Sequence, residues 1–114
     1  MANSFKSETD KEIGTGTATV FTCASSTETT VIGLSVANRV TSQILIDVEL
    51  DASSRTSGAE DKVFLVKDAP IPVGGSLVVV GGDQKLVMEP GDTIKVTSDT
   101  ASSADVVVSH LDIT

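Results

Sequence analysis

The sequence predicts an all-β protein, an antiparallel β-sandwich of about eight strands with jelly-roll or immunoglobulin-like character. Short runs rich in Val, Ile, Leu and Thr recur along the chain, and polar, glycine-containing or proline-containing turns separate them. Within several runs, large apolar residues alternate with small or polar ones, which is the period of a half-buried strand. No run shows the repeat of an amphipathic helix.

Composition limits both the core and the function. The chain has 114 residues, of which 39% are hydrophobic and only 3% aromatic, with no Trp and no Tyr. A chain of this length forms one domain, and its core must be built from Val, Ile and Leu. The absence of Trp and Tyr argues against carbohydrate-binding and base-stacking sites, which depend on those side chains.

Charge and cysteine content exclude further classes of partner. Eight Lys and Arg face sixteen Asp and Glu, which gives a net charge of −8. Because such a surface repels phosphate backbones, we expect no nucleic-acid partner. Cys23 is the single cysteine, so no internal disulfide forms and we expect folding in a reducing cytoplasm. No apolar run approaches the ~18 residues of a membrane span, and we expect no membrane contact.

Residues 1–16 are predicted to form an N-terminal arm that precedes a sandwich domain of residues 17–114. The segment is polar and charged, and Phe5 and Ile13 are its only large apolar side chains. So little apolar area does not offset the entropy of ordering a chain. The arm is therefore either flexible or ordered by a neighbouring subunit, with Phe5 as its anchor.

Two strands are predicted between the arm and the first bend. Residues 17–23 are β-prone because Thr and Val dominate them. In residues 29–38 the even positions Ile32, Leu34 and Val36 are large and apolar, whereas the odd positions in between are small. We therefore expect the even positions to face the core.

Residues 42–50 show the clearest alternation in the chain, with the large apolar side chains on the even face. The polar segment 51–61 that follows is predicted to be a loop, either a solvated hairpin or a contact with a partner. The predicted core residues are Ile32, Leu34, Ile44, Ile46, Val48, Ile94 and Val96. The candidate subunit contacts are Phe5, Ile13, Arg39 and Arg55.

The second half of the chain is divided by turns. Lysines bound a strand at residues 62–67, and glycine and proline turns cut residues 68–98 into three short strands. Glycine supplies the positive φ that tight turns need, while proline removes a backbone donor. The three short strands are predicted at residues 77–80, 86–88 and 94–96. The valine-rich segment 105–113 is the last strand.

No grouping of residues in the sequence predicts a reaction, a metal or a cofactor. His110 is the only histidine, and Cys23 is the only other soft ligand, so a metal site or a catalytic triad lacks partners. Aspartates recur at turns, but the spacing of a calcium loop is absent. The Gly74-Gly75 and Gly81-Gly82 pairs lack the lysine and helix of a phosphate-binding loop and are predicted to be hairpin turns.

Three segments carry a resemblance to a known class of protein. They are residues 65–77 (Leu-Val-Lys-Asp-Ala-Pro-Ile-Pro-Val-Gly-Gly-Ser-Leu), 81–88 (Gly-Gly-Asp-Gln-Lys-Leu-Val-Met) and 98–106 (Ser-Asp-Thr-Ala-Ser-Ser-Ala-Asp-Val). On these residues the chain resembles small virion structural proteins of tailed bacteriophages, particularly marine and cyanobacterial phages. Residues 1–6 and 31–38 are similar too, so the resemblance covers nearly the whole chain.

The resemblance implies a non-enzymatic virion protein that is made in the host cytoplasm. The expected place is the outer capsid surface, where a decoration or cement protein binds the major capsid protein and stabilises the shell. A homo-oligomer, such as a trimer, is expected. The alternative is a neck, tail or fibre-adaptor component that contacts another virion protein. A receptor- or glycan-binding module is a third reading, against which the lack of Trp and Tyr counts.

Overall fold

The prediction of an all-β sandwich is confirmed. A computed structural model describes residues 3–55 and 61–114, and within them nine strands form two packed antiparallel sheets. These residues include no helix long and apolar enough to cross a membrane. In chain order the strands are β1 (Asn3–Ile13), β2 (Ala18–Thr22), β3 (Glu28–Asn38), β4 (Ile44–Asp51), β5 (Lys62–Ile71), β6 (Ser76–Val80), β7 (Leu86–Met88), β8 (Thr93–Ser98) and β9 (Ala104–Ile113).

The two sheets differ in width. The larger has the strand order β1-β9-β3-β6, and the short strand β7 pairs with β3 beside β6. β7 pairs with β3 from Thr29 to Val31, and β6 pairs with it from Leu34 to Ala37, so β6 and β7 together form one edge. The smaller sheet has the order β2-β8-β4-β5. β9 therefore lies between β1 and β3, and its pairing with β1 brings the first and last strands together.

The core consists of aliphatic side chains that the two sheets direct toward each other. Every predicted core residue except Ile32 is buried. Each such Val, Leu or Ile stabilises the fold by roughly 1.5–3 kcal/mol relative to an exposed position. The fully buried apolar side chains include Val31, Leu34, Val36, Ile44, Ile46, Val48, Ile71, Val80, Met88, Ile94, Val96, Val106 and Val108.

The prediction that Ile32 faces the core is wrong. The pairing of β3 with β9 shifts register between Val31 and Gly33, which is a β-bulge. Because a bulge inserts one residue into a strand, Val31 and Leu34 both face inward and Ile32 is 36% exposed. Strict alternation cannot reveal this extra residue.

The N-terminal segment is a strand rather than a loosely attached arm. β1 pairs with β9 from Asn3 opposite Ile113 to Ile13 opposite Ala104. Of its side chains, that of Ile13 is buried and the others are exposed or half-buried. The backbone ladder, not apolar burial, therefore attaches β1, and this is why composition indicated an arm. Residues 3–13 belong to the sandwich, and a contact with a neighbouring subunit stays a prediction.

The turns between β5 and β8 agree with the sequence. Gly74, Gly82 and Gly91 have φ values of 76°, 61° and 91°, in the left-handed region that glycine tolerates. At Gly91 a Cβ atom would also lie 2.6 Å from the Ser54 Oγ atom. Pro70 lies in β5, an edge strand, where a missing backbone donor is tolerated.

Two alanine substitutions in β3 test the bulge. Leu34→Ala should lower the free energy of unfolding by about 2–5 kcal/mol, because it leaves a cavity in the core. Ile32→Ala should lower it by less than about 1 kcal/mol, because this side chain is partly in solvent. Urea denaturation of the two variants measures both values. Similar large losses at the two positions would contradict the bulge.

Candidate functional site

The outer side of the larger sheet is a continuous surface of apolar and small side chains. Val106, Val108 and His110 of β9 face inward, so Val107 and Leu111 face outward together with their partners across the sheet. We call this surface the uncharged face. Its members are Asn3, Phe5, Ser7, Thr9, Thr30, Ile32, Gly33, Ser35, Ala37, Ser76, Val78, Val87, Val107, Ser109, Leu111 and Ile113.

The strand register arranges the uncharged face in rows that cross the sheet. Two rows carry large apolar side chains. Between them lies a row of small residues, which the bulge residue Ile32 interrupts beside Gly33 on β3. Phe5, Val78 and Val87 are the most prominent, with exposed fractions of 76%, 65% and 63%. The rows contain Phe5, Leu111, Thr30 and Val87; Ser7, Ser109 and Gly33; and Thr9, Val107, Ser35 and Val78.

Along β1, β9 and β3, charge lies only at the ends of the uncharged face, and the turn between β6 and β7 adds Asp83 and Lys85 at one edge of the sheet. At one end Asp105 pairs with Arg39 at 3.0 Å and shares a shallow depression with Lys11. At the other end lies Glu28, which is opposite Ile113. The middle of the surface is therefore neutral, although the chain has a net charge of −8.

The outer side of the smaller sheet has the opposite character. Lys67 lies 3.2 Å from Asp47 and over the ring of Phe64, and Lys95 lies 2.9 Å from Asp51. Hydrogen bonds from Ser53 and Lys95 hold the pKa of Asp51 well below its usual range. We call this surface the charged face. Its members are Asp47, Glu49, Asp51, Phe64, Lys67, Asp68 and Lys95.

The four predicted subunit contacts occupy different environments. Phe5 lies on the uncharged face, and Arg39 lies on the surface at its end. The side chain of Ile13, by contrast, is buried, and its carbonyl accepts a 2.9 Å hydrogen bond from the backbone of Ser103. Ile13 therefore anchors β1 to the body and does not present its side chain to a partner.

Arg55 also has a task inside the chain. Its Nε atom lies 3.1 Å from each carboxylate oxygen of Asp92, which is fully buried, and a terminal nitrogen lies 3.1 Å from Glu89. Asp92 also accepts a 3.0 Å hydrogen bond from the backbone of Glu89. Arg55 thus joins the start of the predicted loop to the turn before β8. The rest of that loop, residues 56–60, lies outside the described residues.

His110 lies at one end of the core and holds three strands together. Its ring packs on Phe21 of β2, with centroids 4.2 Å apart. Nδ1 lies 2.8 Å from Asp112, and Nε2 lies 3.3 Å from Glu8 of β1. The imidazole is therefore a buried contact between β9 and the edge strand β1.

Asp112 and Cys23 belong to the same network through a threonine. The Thr29 hydroxyl donates to Asp112 at 2.8 Å, and the Cys23 thiol donates to Thr29 and to the carbonyl of Thr27, both at 3.3 Å. Burial raises the pKa of the Cys23 thiol. A buried thiol that contacts a hydroxyl rather than the imidazole is not an activated nucleophile. The network ties strands together.

Sequence reasoning missed this network because its members are far apart in the chain. Glu8 and His110 are separated by 102 positions, and Thr29 and Asp112 by 83. The one available signal was that His110 and Asp112 share the parity of the core positions Val106 and Val108. Among the described residues, no group of three or more His, Cys, Asp or Glu side chains could hold a metal ion.

Comparisons with known proteins leave the function to be inferred from these surfaces. No family model, no curated protein and no solved structure matches this chain. The informative features are the two unlike outer faces and the networks that fix the strands between them.

Removal of the Arg55 guanidinium should destabilise the protein. Arg55→Ala leaves the buried Asp92 carboxylate without its partner, and we expect a loss of about 2–4 kcal/mol in the free energy of unfolding. Arg39→Ala is the matched control, because its ion pair with Asp105 is solvent-exposed and should be worth less than about 1 kcal/mol. Urea denaturation measures both. A small loss for Arg55→Ala would show that Arg55 is not structural.

Asp112→Asn should make stability less sensitive to acid. Burial raises the pKa of Asp112, but hydrogen bonds from Thr29 and His110 outweigh it, so the folded-state pKa lies below the unfolded value of 3.8. The carboxylate therefore stabilises the fold above pH 3.8, and this contribution is lost as the pH falls through the folded-state pKa.

Urea denaturation from about pH 7 down to about pH 2 measures this dependence. The Asp112→Asn variant should be less stable than the wild type at neutral pH, by about 1–2 kcal/mol, and should lose less on acidification. Asp83→Asn, in an exposed turn, is the control and should follow the wild type. Parallel curves for Asp112→Asn and the wild type would refute this role.

Proposed function

We propose that this protein is a non-enzymatic structural protein of a tailed-phage virion, a decoration or cement protein on the outer capsid surface. The observation that carries the proposal is the pair of unlike outer faces on one sandwich. A subunit that sits in a repeating shell has two kinds of protein neighbour, the shell beneath it and its own copies. Two extended faces of different chemistry suit two such neighbours. The sequence resemblance to virion proteins supports the same assignment.

The charged face suits the shell. Several of its carboxylates already have lysine partners within the chain, and Glu49 adds a further carboxylate to the surface. The excess of acid over base in the chain as a whole favours a partner surface rich in Lys and Arg. Such a contact is weak for one copy, because exposed ion pairs contribute little. Many copies on one lattice supply the avidity that stabilises the shell.

The neck, tail or fibre-adaptor alternative uses the same fold, and the copy number separates it from decoration. Quantitative mass spectrometry of purified particles, with immunogold labelling, should find hundreds of copies distributed over the head. About six or twelve copies, or label confined to the neck or tail, would place the protein there instead, because those parts follow low-order rotational symmetry. Absence from purified particles would refute a virion role altogether.

A further inference from the structure

We infer that the uncharged face packs against the same face of a second copy of this chain, forming a dimer with two-fold symmetry. The second copy would be one of the two neighbours of the proposed virion subunit. The dimer depends on the proposed virion function only for its biological setting. Its basis is the charge, the relief and the size of the face.

The distribution of charge on the chain indicates which partner covers the uncharged face. Two copies carry −8 each and repel one another, so a stable contact between them must keep carboxylates away from its centre. On the uncharged face, Asp105 and Glu28 lie at opposite ends and the rows between them are neutral. A basic partner would form no ion pairs with these rows, because the carboxylates that could pair with its cations lie on the charged face. A neutral surface on an acidic protein fits a partner of the same charge.

The relief of the uncharged face is self-complementary. Its two apolar rows pass through Leu111 and Val107, four residues apart on β9 and therefore about 13 Å apart, with the Ser7, Ser109 and Gly33 row between them. Sheets that pack face to face lie about 10 Å apart with interdigitated side chains. An apolar row of one copy therefore fits the part of the other copy's middle row that Ser7 and Ser109 form, beside Ile32. A two-fold axis lets both copies do so at once.

The size of the face agrees with a stable dimer. β1 and β3 each have eleven residues, and the sheet is four strands wide, with β6 and β7 sharing one edge. These dimensions give a surface of about 36 Å by about 19 Å, or roughly 700 Å² for each copy. Standard protein interfaces bury about 800 Å² for each partner. Nearly the whole face would have to be covered, so Phe5 and Val78, near opposite corners, would both lie in the interface.

Sedimentation velocity of the full chain from about 1 μM to about 500 μM tests the inference. We expect a concentration-dependent dimer. Val107→Lys places an ammonium in the middle of the contact, and Val78→Lys places one at its rim. Each variant should weaken dimerisation by at least about tenfold. Val63→Lys is the matched control. Val63 lies in β5 of the other sheet and is 44% exposed, against 43% for Val107, so this variant should dimerise like the wild type.

Circular dichroism and thermal melts establish that each variant is folded before its association is compared. Salt gives an independent readout that needs no variant. Because screening reduces the repulsion between two acidic copies, higher salt should tighten the dimer. Tighter association at low salt would instead indicate ion pairs across the contact and would overturn the inference.

Four other results would also overturn it: a monomer at every concentration, a trimer, a Val107→Lys variant that dimerises like the wild type, or a Val63→Lys variant that loses the dimer. These results are distinct from failure of the proposed function. A monomer in solution with many copies on the capsid refutes only the dimer. A dimer that is absent from particles refutes only the virion role.

Discussion

The pairing of β3 with β9 is the contact on which the rest of the structure depends. It runs from Glu28 opposite Ile113 to Asn38 opposite Ala104 and joins segments from opposite halves of the chain. Because side chains alternate along a strand, this register places Val108 in the core and, at the same time, Val107 on the uncharged face. A slip of one residue would exchange the two sets. One backbone ladder therefore determines both the core and the candidate interaction surface.

Polar side chains fix that register at the end of the core. On the inner side of β9, the buried His110 and the half-buried Asp112 continue the row of Val106 and Val108 and contact partners from three other strands. Among the described residues, every buried side-chain nitrogen or oxygen has a hydrogen-bond partner. An apolar row tolerates a shift by two residues, whereas a satisfied polar network does not, because a shift would leave buried groups unpaired.

The sequence predicts the strands and turns that depend on residues close together in the chain. Alternation located β4 and the inward side of β8, and glycine and proline located the turns. The elements it missed depend on distant partners. β1 is attached through backbone groups of β9, which no side-chain pattern records. The Ile32 bulge arises where β3 meets β9, and Arg55 points inward because Asp92, 37 positions away, is buried beside it. The uncharged face could not be predicted either, because it depends on the strand register that places side chains such as Phe5 and Leu111 side by side.

The distribution of charge over the two sheets is itself an argument for a neighbour on the larger one. A sandwich needs apolar residues only on its two inner sides, and a free outer side is normally polar, because exposed apolar rows invite aggregation. Here Lys67, Lys95 and their carboxylate partners lie on the smaller sheet, and Lys6 and Glu8 point to the inner side of β1. Serine, threonine and glycine keep the uncharged face compatible with water without giving it charge. A face whose central rows are neutral and only moderately apolar fits reversible contact with another sheet better than permanent exposure to solvent.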